Sequence, residues 1–180
     1  MSKLIPRLSI DKMTPELAAM LEPRVRRLGY LGEFFQCAAH QPQALMSFTA
    51  FTEDLKRALP DNLTEVVALS AASFMVNAYE RIQHERLSLK LGFKRKWVRE
   101  VISLNGDGSE MSSEELLVQR FALAVLERHG HNTTAEFEAV INAIGDQQAV
   151  GVLMLIGRYV THALVVNCLQ LAPPVSSPLE

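Results

Sequence analysis

Asn77, Glu80 and His84 follow one another at separations of three and four. At about 100° per residue, their side chains share one narrow stripe of a helix, continued by Leu87 and Leu91. A carboxylate and an imidazole one turn apart can fix a tautomer and pass a proton near neutral pH. Upstream, Glu65 precedes a stretch from Val66 to Val76 with no charged residue, the mark of a helix buried on most of its circumference. Ionisable groups on inward-facing surface need partners, so the elements carrying these residues must bring them together.

A single helix across Asn62–Gly92 would not do this, because it would hold Glu65 and His84 roughly 28 Å apart at about 1.5 Å per residue. Two helix-start signatures point to a reversal instead. Asn62 with Glu65, and Asn77 with Glu80, each have the form of an Asn cap followed three residues later by a Glu. The second lies inside the apparent helix, so the chain is expected to break near Met75–Asn77. Glu65 and His84 are then ten and nine residues from Met75 and can meet in one pocket.

The 180 residues carry a formal charge of −2 and two distant cysteines, Cys37 and Cys168, in no C-x-x-C or zinc-type spacing. A chain of this length can bury a full core without disulfides or metal. The charge balance gives no reason to expect nucleic acid, and the run Lys94, Arg95, Lys96 and Arg99 reads as the solvated face of a short helix. The apolar segment Ala149–Ala172 is interrupted by Arg158, His162, Asn167 and Gln170, which marks a core helix and not a membrane span. The N-terminus lacks an h-region, so a cytoplasmic location is expected.

In order, residues 1–13 read as an extended arm, and Thr14-Pro15-Glu16 starts a helix that Pro23 should limit. Further helices are expected over Pro42–Leu59, across the central pair to Gly92, over Phe93–Ile102, from Ser112 to Arg128, and from Thr133 to Ile144. Asn105 to Glu110 reads as a flexible loop. Gly145-Asp146 sets off the final long helix, and the Pro/Ser-rich tail, residues 173–180, is expected to be flexible. No segment alternates as a strand does. The fold class is therefore all-α, a single domain over residues 14–172 with seven or eight helices.

Glu65, then Asn77-Ala78-Tyr79-Glu80-Arg81-Ile82-Gln83-His84, then a Gly eight residues after the His, resembles the core motif of the carboxymuconolactone decarboxylase-like superfamily, which includes the alkylhydroperoxidase D-like proteins. The likeness covers roughly Phe34 to Leu104 well and the later helices loosely. In the peroxidase branch two redox cysteines, C-x-x-C, precede the His by seven and four residues; here those positions hold Asn77 and Glu80, which cannot reduce a peroxide by thiolate chemistry. The resemblance is closer to the decarboxylase-like branch. It implies a helical bundle assembled as a dimer, trimer or hexamer, with Glu65 and His84 in a proton relay.

Each residue also has a plainer explanation. Asn77, Glu80 and Glu65 could serve as caps, His84 as a core imidazole satisfied by one carboxylate, and Tyr79 as a packing residue. The functional reading makes Glu65, Tyr79, Glu80 and His84 catalytic, with Asn77, Arg81, Arg158 and His162 as substrate-binding candidates. Arg158 and His162 lie one turn apart on the final helix. No second His at ligand spacing supports a metal, and no cofactor is expected. Two classes of function follow: a small-molecule enzyme moving protons on a carboxylated lactone or similar acid, or a helical binding or assembly module that has lost catalysis. Hydroperoxide reduction is a third, narrower option that the missing cysteines disfavour.

Overall fold

One helix, α4 (Asp61–Phe74), forms the centre of the molecule in the computed structural model, which describes residues 4–106 and 109–180. Every residue of α4 from Leu63 to Ala72 is buried. Its small side chains, Ala68, Ser70, Ala71 and Ala72, let neighbours approach on several sides at once. Those neighbours are α5 (Ala78–Lys90), α6 (Arg95–Ser103), α7 (Ser113–Glu127) and α8 (Thr134–Cys168). A short 3-10 turn, Ile10–Lys12, precedes α1 (Pro15–Leu28), α2 (Glu33–Ala38) and α3 (Pro42–Ala58). The fold is all-α, with eight α-helices among the described residues. The centre of the loop expected at Asn105–Glu110, residues 107–108, lies outside those residues, as do residues 1–3 of the N-terminal arm.

The reversal between α4 and α5 falls where the second cap signature placed it. Met75 ends α4, Val76 turns into the left-handed region at φ 53°, and Asn77 N–H returns to Ala72 O at 2.8 Å. Asn77 Oδ1 then accepts the N–H of Glu80 at 3.1 Å, starting α5. The Glu80 side chain does not complete a capping box, because its carboxylate is engaged elsewhere.

Three local expectations are corrected. Pro60 and not Asn62 precedes α4; the Asn62 amide instead donates to Glu115 Oε1 at 2.8 Å. Thr133 makes no cap bond, and Glu136 pairs with Arg128 at 2.9 Å. Pro23 does not limit α1, which continues to Leu28 and stops at Gly29 with φ 79°. Pro23 and Ala19, whose carbonyl loses its donor, are both exposed, so water satisfies the orphaned oxygen while Leu17 and Leu21 hold the helix to the core.

The core has two parts. The larger lies among α3, α4, α6, α7 and α8; the smaller joins α1, α2 and the start of α3 to Tyr79 and Val166. At Gly145, with φ 80° and ψ 161°, α8 breaks and turns, as the Gly145-Asp146 signal anticipated. By length and composition α8 could cross a membrane, but half of its most apolar window is buried inside the protein, as in a core helix. Residues 173–180 lie along α5 and α6: Ser177 Oγ donates to Glu85, and Arg99 donates to Leu179 O at 3.0 Å.

Glu115 shows how one acidic residue can fix three elements. Its Oε2 accepts from Ser112 N–H at 2.8 Å and Trp97 Nε1–H at 3.0 Å, and its Oε1 accepts from Asn62. Glu115→Ala breaks the capping box and leaves the buried Trp97 donor and the half-buried Asn62 amide unpaired, so it should lower unfolding stability by about 2 kcal/mol. Urea denaturation would measure this, and a loss within about 0.5 kcal/mol would show that the three bonds are energetically idle.

Candidate active site

The sequence stripe becomes a network because α4 and α5 run side by side. Glu65, 1% exposed on α4, receives His84 Nδ1 from α5 at 2.9 Å and the hydroxyl of Ser88 at 2.9 Å, both on Oε2. A carboxylate is an acceptor, so Nδ1 carries a proton and His84 turns Nε2 away from Glu65. On that side the hydroxyl of Tyr159 lies at 3.1 Å and Glu80 Oε1 at 3.8 Å.

The second half of the network comes from α8. Arg158 Nη1 donates to Glu80 Oε1 at 2.7 Å, and its Nε donates to Thr52 Oγ1 of α3 at 3.1 Å. The guanidinium lies 4.4 Å from the centre of the Tyr159 ring and 5.0 Å from that of Phe48, which holds its plane. His162 Nε2 faces the other carboxylate oxygen, Glu80 Oε2, at 3.4 Å. Its Nδ1 meets the amide nitrogen of Asn77 at 3.2 Å. Asn77 Oδ1 is committed to the Glu80 N–H, so its nitrogen must be the group facing His162. His162 Nδ1 therefore accepts, and the ring proton sits on Nε2, toward Glu80.

The two histidines around Glu80 are driven in opposite directions. Burial alone would lower His84, but the Glu65 carboxylate on Nδ1 and Glu80 beyond Nε2 outweigh it, and its pKa is raised. Burial lowers His162 to about 4 against the pull of Glu80, with Arg158 adding repulsion. At neutral pH His162 is thus an uncharged N–H donor. Burial would raise the Glu80 carboxyl, yet His162, Arg158 and His84 together hold it well below the usual range. Burial pushes Tyr159 well above the ordinary tyrosine value, so it keeps its proton.

Tyr79 and Arg81 are placed differently. Tyr79 is buried with its ring 5.8 Å from that of His162, and its phenol oxygen takes a hydrogen bond from the Phe34 backbone. A Cβ on Gly32 would lie 2.1 Å from that oxygen, so Gly32 is a glycine to make room for it. Arg81 pairs with Glu85 outside the network. Together with Asn77 and Ser73 it lines a cavity of 310 Å³ beside the α4–α5 turn. Ser88, Tyr159 and Thr52 belong to the network and were missed from sequence. For Ser88 a signal existed: it lies one turn beyond His84 on the inward stripe, whereas Leu91 is 42% exposed. Among the described residues, no cluster of His, Cys, Asp and Glu has metal-holding geometry, and no disulfide joins Cys37 to Cys168.

The pKa directions give a test. His84 binds its proton more tightly when folded, so its stabilising contribution is full below about pH 6.5 and fades as pH rises through the folded value. His162 acts oppositely: between 6.5 and about 4 the unfolded chain takes up a proton that the folded chain refuses, so acid destabilises. In NMR titrations His84 should titrate above 6.5 and His162 near 4. Glu65→Gln should bring the His84 pKa down, because burial then acts with less opposition; an unmoved titration would mean that the pair is not coupled.

No family model matches the sequence, and no curated protein does. Solved structures do match. An uncharacterized peroxidase-related protein from Ralstonia eutropha JMP134, described as an alkylhydroperoxidase AhpD core, superposes with a TM-score of 0.80 at 16% identity, covering 93% of this chain and 90% of its own. The debrominase Bmp8 superposes with a TM-score of 0.83 at 14% identity, covering 97% and 94%. An uncharacterized peroxidase-related protein from Silicibacter sp. TM1040 gives 0.81 at 15%, covering 96% and 91%. The chain therefore has the all-α fold of the carboxymuconolactone decarboxylase-like and alkylhydroperoxidase D-like superfamily, without the paired redox cysteines of its peroxidase branch.

Proposed function

We propose that the protein is a cytoplasmic, homo-oligomeric enzyme that moves a proton through His84 on a small carboxylated lactone or a similar acid. The observation that supports this reading is the buried Glu65–His84 pair, with Nδ1 fixed by the carboxylate and Nε2 turned toward Tyr159, Glu80 and Arg158. A cap or a packing residue needs no such sequence of contacts.

In this reading the substrate carboxylate takes the place of Glu80 on Arg158, a planar two-pronged donor suited to it. The bond from carbon to the departing carboxyl breaks, carbon dioxide leaves, and the electron pair stays on carbon, spread into the adjoining lactone carbonyl. His84, kept partly protonated by its raised pKa, delivers the Nε2 proton to that carbon, and Glu65 stabilises the imidazolium through Nδ1. Tyr159 orients Nε2, and Asn77 with His162 holds Glu80 when the site is empty. Arg81, at the nearby cavity, would act at its mouth.

The direct test is incubation with small carboxylated lactones in deuterated water, following carbon dioxide release and deuterium in the product. His84→Gln should lower kcat by about 100-fold or more, the range expected for loss of a proton donor. Arg158→Gln should act mainly on KM. Carbon dioxide release that is absent, or indifferent to His84→Gln, would remove the decarboxylase reading. Hydroperoxide reduction with a dithiol should be negligible, and turnover abolished by Cys168→Ser would return the protein to thiol chemistry.

A further inference from the structure

The groups that would act on a substrate are closed off from solvent. Glu80, His84, Tyr159 and His162 are 7%, 5%, 2% and 2% exposed, and the Arg158 side chain is 10% exposed. The 310 Å³ cavity beside the α4–α5 turn reaches Asn77 and Arg81 and stops short of them. An acid can meet Arg158 only if a wall of the site moves, and the walls are unequal. α3, α4 and α8 enter the larger core, and α5 is anchored through His84 and Ser88 to Glu65.

The wall over His162 is thin. It is α2, a six-residue helix that buries two side chains of its own, Phe34 and Cys37, and has no side-chain cap bond at Gly32. The Phe34 ring stacks on His162 with centroids 4.1 Å apart and an interplanar angle of 29°, and it lies 5.9 Å from Phe48, the ring beside Arg158. One side chain thus screens both partners of Glu80 on α8. From outside, the N-terminal arm straps the same segment: Arg7 pairs with Glu33 at 3.2 Å, Leu8 N–H donates to Gln36 O at 3.2 Å, and His40 Nε2 donates to Pro6 O at 2.9 Å. Arm and helix therefore form one unit.

We infer that α2, with residues 6–8 strapped across it, is the gate of the site: it swings on Gly29 and on the Gln41–Pro42 junction and draws Phe34 off His162 and Phe48. Both junctions lie at helix ends, where backbone angles can change without breaking a helix, and Gly29 stands at φ 79°. Phe35 leaves with the gate. Its ring covers Arg24 at 4.5 Å, and the charges of Glu80 and Arg158 both act on that guanidinium. The opening is thus flanked by Arg24 and Arg158, a cationic entrance suited to an acid. Because α2 buries so little, lifting it exposes far less apolar surface than global unfolding and costs correspondingly less. The gate rests on the reading of this network as the reacting site.

Cys37, 4% exposed on α2, reports the opening, and its modification by dithionitrobenzoate can be followed in the full chain once the exposed Cys168 is replaced by serine. The rate should stay flat in urea below the unfolding transition, and Phe34→Ala should raise it by about 10-fold or more. Glu115→Ala, which weakens the distant α4–α6–α7 junction, should leave it within about 2-fold. Where only global unfolding bares Cys37, that variant raises the rate by about 30-fold, in line with the stability it removes, and the rate follows urea with the full unfolding slope. Such a result overturns the gate. If Phe34→Ala does not fold, Gly32→Ala takes its place, since its Cβ would meet the Tyr79 oxygen at 2.1 Å in the closed position. A rate indifferent to both variants also overturns the gate, because the opening then lies elsewhere. The measurement needs no substrate, so it separates the two readings. Local opening without carbon dioxide release upholds the gate and removes the decarboxylase reading, whereas turnover with Cys37 reached only by global unfolding does the reverse.

Discussion

A carboxylate with almost no solvent contact, Glu65 in the first half of the central helix, is the constraint on which the rest of the arrangement depends. An isolated charge there would cost several kcal/mol or would take up a proton. The fold meets the constraint by reversing the chain at Val76, so that α5 lays His84 and Ser88 against the same oxygen. The turn itself is unfavourable, because a β-branched residue in the left-handed region is strained by roughly 1 kcal/mol or more. That cost is smaller than the cost of an unpaired Glu65, which decides which side of the balance wins.

The charge count closes once α8 arrives. Glu65 and Glu80 face two cationic groups, Arg158 and, whenever it holds its second proton, His84, while His162 stays neutral. Each carboxylate thus has one such partner; the His84 pair joins the consecutive helices α4 and α5, and the Arg158 pair ties α5 to the distant α8. Four elements, α3, α4, α5 and α8, are fixed relative to one another by groups with few alternative partners. Such a network sets a unique register more than it adds stability, because the desolvation it entails offsets most of its Coulomb energy.

Much of this was legible in the sequence, and the failures share a cause. Helical periodicity and the cap at Asn77 placed the reversal, and the break let Glu65 and His84 meet. The helix signals at Ser112 and Gly145 also held, because they rest on local hydrogen bonds and on backbone conformation. The errors came where a side chain with a valid local use was taken by a distant partner. Asn62 could cap α4 but bonds Glu115; Glu136 could close a box at Thr133 but pairs with Arg128. Tyr159 was invisible for a related reason: nothing in the order Arg158-Tyr159-Val160 shows that its hydroxyl reaches a histidine 75 residues earlier.

The exchange of Glu80 for a redox cysteine, implied by the resemblance, changes the site's chemistry without changing its frame. A thiol at this helix position would be the partner of His84 in electron-pair transfer to an oxidant. A carboxylate cannot take that part, but it attracts cations, and Arg158 and the His162 N–H converge on it. In the proposed reading, the same replacement that ends thiol chemistry would serve an anion site whose place Glu80 itself takes here. Glu80 is held on one oxygen by a full charge and on the other by a neutral donor at 3.4 Å, so the second contact is the weaker. A carboxylated substrate of the kind proposed would compete for Arg158 on equal terms of charge. What it must supply beyond Glu80 is binding energy from the remainder of its own structure, and that requirement, more than the charge, would set which acids the site accepts.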